Sequence, residues 1–212
     1  MKKLLMLGAI LILGTVGYGA KSADIIQDGS NNYVADTTLT LRTKGNVVDT
    51  TNNTVLVITP MNGTGANNDK LMFHFGSIAP GETTTLKGRF KAEVIREEKA
   101  GMPDGPFTFT TKYGQLTKDN IKVGLAEKTG TADPDITKTK VTIANRQVNE
   151  RGTNTKIGSI TYTLSNASGI QDSGRAYEGE IISTFTADKT AKGNFTDTGV
   201  MVVVNVTNVE VK

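Results

Sequence analysis

The chain has 212 residues and a mass of 22.6 kDa, 37% of it hydrophobic and 21% charged, which is long and apolar enough to bury a real core. It has no cysteine and one histidine, His74, which excludes a disulfide scaffold, a thiolate metal site and a cysteine nucleophile, and leaves a serine-histidine hydrolase a single base to use. A net charge of +3, from 24 basic and 21 acidic residues, is no nucleic-acid footprint.

Lys2 and Lys3 precede an apolar run from Leu4 to Leu13, broken only by Gly8, and then come the small residues Gly14, Thr15, Gly17, Gly19 and Ala20. A basic head, a short apolar core and a small-residue tail are the order of a secretory leader, and the run falls well short of the ~20 apolar residues that span a bilayer. Residues 1–20 are therefore expected to be a signal peptide, with the mature chain bound for the cell surface or the extracellular space by way of the periplasm. Residues 21–32 are polar and turn-rich, a flexible N-terminal segment, and 33–212 form the folded domain.

Threonine supplies about one residue in seven and glycine 23 positions, while helical heptads are absent. Alternating runs follow one another along the chain: Thr38 to Arg42, Thr54 to Thr59, Leu71 to Phe75, Thr84 to Ile95, Pro106 to Tyr113, Lys140 to Ala144, Ile157 to Leu164, Gly179 to Ala187 and Phe195 to Val206. Turn signals such as Asn62-Gly63, Pro80-Gly81 and Asp104-Gly105-Pro106 separate them. Val94 to Ala100, followed by Gly101, has the composition of a short helix, but a strand running through Ile95 into a charged turn suits it better. These features predict an all-β protein, an antiparallel sandwich of about nine strands. Aromatics at 6%, with no tryptophan to form a girdle, argue against an outer-membrane barrel.

The last run is the most informative. Val200, Val202, Val204 and Val206 share one face at period two, while Met201 and Val203 put apolar groups on the other, so this strand belongs in the middle of a packed sheet or beside something added to it. With Phe195, the triplet Thr196-Asp197-Thr198 before the valines and the Tyr177-Glu178-Gly179 opening upstream, the C-terminal region resembles the final strands of chaperone-usher pilins and of spore-coat-U-like secreted domains.

That resemblance covers about 30 residues. It implies an Ig-like sandwich completed by an extended N-terminal segment of a neighbouring subunit, with backbone hydrogen bonds for affinity and alternate side chains in pockets. The matching donor segment is Ile25 (or Ile26), Tyr33, Leu39 and Leu41, and the acceptor strand is Val200, Val202, Val204 and Val206. The partners implied are copies of the chain or related subunits, a periplasmic chaperone and an outer-membrane assembly protein, with no nucleic acid. The chain departs from many such pilins in lacking a disulfide and in continuing through Asn208, Val209, Glu210 and Val211. Residues 37–43 read equally well as the first strand of the chain's own sheet, in which case the domain is self-contained.

No catalytic set, metal site or cofactor site is expected. His74 lies between Phe73 and Phe75 and in a strand points away from both; Glu93, Glu97, Glu98 and Asp104 read as solvated charges; and Asp28 to Asn32 and Asp133 to Asp135 lack the spacing of a calcium loop. The expected role is that of an exported structural or adhesive surface protein, a fimbrial subunit. The alternative is a soluble or surface-exposed module that binds glycan or protein, for which Tyr113, Tyr162 and Tyr177 are the candidate aromatic platform.

Overall fold

The computed structural model describes residues 35–46, 54–61, 70–100, 108–128 and 138–211. Twelve strands occur among them, β1 (Ala35–Asn46), β2 (Thr54–Pro60), β3 (Lys70–Gly76), β4 (Thr83–Ala100), β5 (Thr108–Tyr113), β6 (Ile121–Glu127), β7 (Thr142–Asn149), β8 (Lys156–Leu164), β9 (Gly169–Gln171), β10 (Ala176–Ala187), β11 (Phe195–Asp197) and β12 (Val200–Thr207), with a turn of 3-10 helix at Asp172–Gly174. They form two layers. Five strands make one sheet, in which β1 lies between β3 on one edge and β11 and β12 on the other, and β6 follows β12. Seven make the other in the order β2, β4, β10, β8, β7, with β5 continuing along β4 and β9 along β10.

The all-β sandwich agrees with the sequence expectation, and the strand number exceeds it. The final run divides into β11 and β12, which Thr198 and Gly199 separate. β6 has no clean alternation, since Gly124, Leu125 and Ala126 are buried in succession, and β9 is three residues long. Residues 94–100 are strand, the end of the 18-residue β4. Two pairings are not antiparallel: β1 runs parallel to β11 and to β12. Parallel strands cannot be joined by a tight hairpin, and these partners lie near opposite ends of the chain, where no hairpin constrains their direction.

Alternation builds the core directly. Leu71, Phe73 and Phe75 of β3, Phe90, Ala92 and Val94 of β4, Ile160 and Tyr162 of β8, Ile181 and Phe185 of β10, and the even-numbered valines of β12 all face between the sheets. Phe185 stacks on Phe195 at 4.4 Å between ring centroids and lies 6.0 Å from Phe75, so one aromatic row ties the two layers together. Two glycines let this row and its neighbours close up. A Cβ on Gly88 would collide with Leu71 and Phe73, and one on Gly179 would enter the Phe90 ring. Beyond β12, Asn208 turns the chain with φ 54 and sends Val209 and Val211 back into the core, where Glu210 O accepts the Gln115 N–H at 3.1 Å. The residues that depart from the pilin pattern thus close one end of the sandwich.

Two expectations follow. Gly179→Val should destabilise the domain by about 1–3 kcal/mol through overpacking against Phe90, measured as a lower urea midpoint. Ser183, fully buried on the inner face of β10, has a hydroxyl with no hydrogen-bond partner. Ser183→Ala should therefore raise stability by about 1 kcal/mol in the same measurement, removing a desolvated group that gives nothing back.

Candidate functional site: the slot filled by β1

The acceptor strand is built as its sequence requires. Val200, Val202, Val204 and Val206 are buried in the core, and Met201 and Val203 are buried on the opposite face. Thr139 lies over Gly124, the register partner of Val203, where a Cβ would not fit. One edge of β12 is taken by β6 in an antiparallel ladder from Val200–Glu127 to Val206–Ile121. The other is taken by β1, with Leu41 opposite Val202, Thr43 opposite Val204 and Gly45 opposite Val206. On its far side β1 pairs antiparallel with β3, Leu39 opposite Leu71 and Thr37 opposite Phe73. Leu41 of the expected donor segment therefore lies beside the expected acceptor strand, within one chain, with Leu39 just before the start of that ladder, and the position along Met201 to Val206 is filled. Ile25, Ile26 and Tyr33 lie outside the described residues, as do residues 1–20, expected to be a signal peptide, and the segment 21–32.

At its start β1 pairs with β11, Ala35 opposite Phe195 and Thr37 opposite Asp197. Here lies a polar lock that the sequence reading missed. Asp197 is only 8% exposed, and its carboxylate accepts the Tyr162 hydroxyl at 2.9 Å, the Arg146 Nε–H at 3.2 Å and the Gly199 N–H at 3.0 Å. Arg146 also reaches Glu127 at 3.4 Å. A Cβ on Gly199 would meet the Arg146 guanidinium, so the glycine leaves that side chain its place over Asp197. The lock joins β11 and β6 of one sheet to β7 and β8 of the other. Its signal was Asp197 itself, an acid two residues from Phe195 and hence on the same inward face, which demands a partner. At the same end a cavity of about 30 Å³ is lined by Gly76, Ile78, Ile157, Phe185, Ala187 and Phe195. It has room for about one water molecule and none for a substrate.

The remaining candidates are dispersed. His74 is exposed between the buried Phe73 and Phe75 on β3. Glu93 pairs with Lys91 at 2.8 Å and Glu98 with Arg96, Glu97 is exposed, and Asp104, Asp28 to Asn32 and Asp133 to Asp135 lie outside the described residues. No group of three or more His, Asp or Glu that could hold a metal ion occurs among the described residues. The aromatic platform needs correcting: Tyr162 is fully buried, and Tyr177 sits on the inner face, its ring 6.3 Å from that of Phe90. Only Tyr113 is on an outer face, opposite Ile95.

Burial pushes the Tyr177 phenol above its usual range, a shift that hydrogen bonding to Ser168 partly offsets. The hydrogen bond to Glu93 raises Lys91 against an opposing effect of burial. For both groups the folded form keeps its proton to higher pH than the unfolded chain, so stability should fall as pH rises above about 10. Tyr177→Phe should flatten that fall in thermal melts taken from pH 9 to 11. Tyr162→Phe, which removes a hydrogen bond to a carboxylate, should cost about 1.5–3 kcal/mol at neutral pH, read from urea unfolding.

No protein-family model, no curated protein and no solved structure matches this chain.

Proposed function

We propose that this chain is an exported, non-enzymatic structural subunit of the cell surface, fimbrial in type, whose copies associate by exchanging β1. One observation carries the reading. β1 is inserted in the middle of a sheet, parallel to β12, and among the described residues it alone joins β3 to β12. A strand in that position, preceded by a further N-terminal segment, is one that a second copy can supply in the same register, since the ladder is mostly backbone hydrogen bonds. Reciprocal exchange between two identical chains closes into a dimer, whereas donation from each chain to the next is heterologous and builds a fibre. The leader and the two-faced acceptor strand support the same reading.

A second reading is favoured by the pairing within one chain: β1 stays where it is, and the protein is a self-contained surface domain. The absence of native cysteine makes the two separable. The double variant Leu41→Cys, Val202→Cys places thiols at paired positions of β1 and β12. Under oxidation at high protein concentration, exchange should give a ladder of disulfide-linked oligomers on a denaturing gel and fibres by electron microscopy. Oxidation of dilute monomer should lock β1 in place and block fibre growth until reductant is added. Intramolecular cross-links alone at every concentration, with no fibres from the unmodified mature chain, would establish the self-contained domain instead.

A further inference from the structure

Beyond Arg96 the described part of β4 leaves the body of its sheet and continues with β5 as a two-stranded ribbon, Glu97 opposite Thr111 and Lys99 opposite Phe109. The outer face of this region gathers apolar residues around a few polar ones. Val55, Ile95 and Tyr113 lie side by side across β2, β4 and β5, and Thr111 and Phe109 extend the same face along β5. Phe109 is 68% exposed and Val55 50%. The Arg175 guanidinium lies 5.7 Å from the centre of the Tyr113 ring. Two aromatic rings four residues apart thus bracket a hydroxyl and an exposed carboxylate, with a cationic donor at one end.

The size of the strip decides what it fits. Four residues of strand span about 13 Å and three strands about 10 Å, on the order of 150 Å² in all. A stable protein interface needs roughly 800 Å² from each partner. A pyranose, by contrast, needs one aromatic ring for the apolar C–H face of the sugar and one or two polar groups for its rim. The rim here has both signs, Glu97 and Lys99 at alternate positions of β4 and Arg175 beside Tyr113, so a carboxylate lies among the cations and no single-sign field is offered to a polyanion. We infer that Phe109 and Tyr113 form a platform for a neutral oligosaccharide, with Thr111, Glu97 and Arg175 bonding to its hydroxyls.

This inference stands apart from β1 exchange, because the strip is on the other sheet and a subunit locked at positions 41 and 202 keeps it intact. The test is an array of neutral and acidic oligosaccharides, followed by titration of the retained ones against the locked monomer. Since the chain has no tryptophan, tyrosine emission reports the titration. Retention of neutral oligomers is expected, with Phe109→Ala weakening binding about tenfold or more, equivalent to ~1.4 kcal/mol. Tyr113→Ala should do the same, Tyr113→Phe should largely preserve binding, and Tyr177→Phe should leave it unchanged. Failure to retain any neutral oligosaccharide, retention of acidic ones alone, or unchanged binding in Phe109→Ala would overturn the assignment. So would a wild-type chain that dimerises through this strip, becoming monomeric in Phe109→Ala without having bound sugar.

Discussion

A strand that is apolar on both faces cannot sit at an edge, and β12 imposes that condition on the molecule. Its backbone must be paired on both sides, and both rows of side chains must be covered. β6 satisfies one edge, from across the five strands that separate it from β12 in the sequence. The other edge is satisfied by β1, from the far end of the sequence. Among the described residues β3 pairs with nothing but β1, so the five-stranded sheet consists of two pieces that this one strand holds together. The aromatic row Phe75–Phe185–Phe195 reinforces that joint from inside, and the Asp197 lock fixes it to the opposite sheet.

The outer face of the seven-stranded sheet is graded along β4. At its start, threonines face one another across strands, Thr83 with Thr186 and Thr85 with Thr184, both at 3.0 Å. Ion pairs follow, Lys87 with Glu180 and Arg89 with Glu178. The apolar strip comes last. Exposed pairs of these kinds add only tenths of a kcal/mol to about one each, so the gradient is better understood as a division of the surface than as a source of stability. Hydroxyls and balanced charges keep the first part of the face well solvated and unreactive toward other sheets, and the exposed apolar residues are gathered at its end.

Much of this was legible in the residues, and the reasons for the rest are physical. Alternation identified Leu71 to Phe75, Ile157 to Leu164 and Gly179 to Ala187 because each has one wet and one dry face. β6 escaped because a strand with a strap packed over Gly124 is dry on both faces in part of its length and so loses its period. The valines of β12 announced that a partner was needed, but alternation says nothing of which chain provides it or in which direction it runs. Parallel pairing with residues so distant leaves no turn in the sequence to be read. Asp197 and Phe109 were passed over for opposite reasons: one is a polar residue on a dry face, the other an apolar residue on a wet one, and a reading built on matching residue to face discounts both.

The pairing of Leu41 with Val202 also sets an order of events. The early strand is available long before its place exists, for ten of the described strands come between it and β12. Until then β1 has β3 to pair with on one edge, its other edge stays open or is held by something else, and the five-stranded sheet cannot be completed. Contacts so far apart in sequence are slow to form, and strand edges left waiting for them are open to other chains. The interval between the appearance of the first strand and the arrival of the last is therefore the period in which this molecule is most exposed to capture, whether by a chaperone, by a second copy or by aggregation.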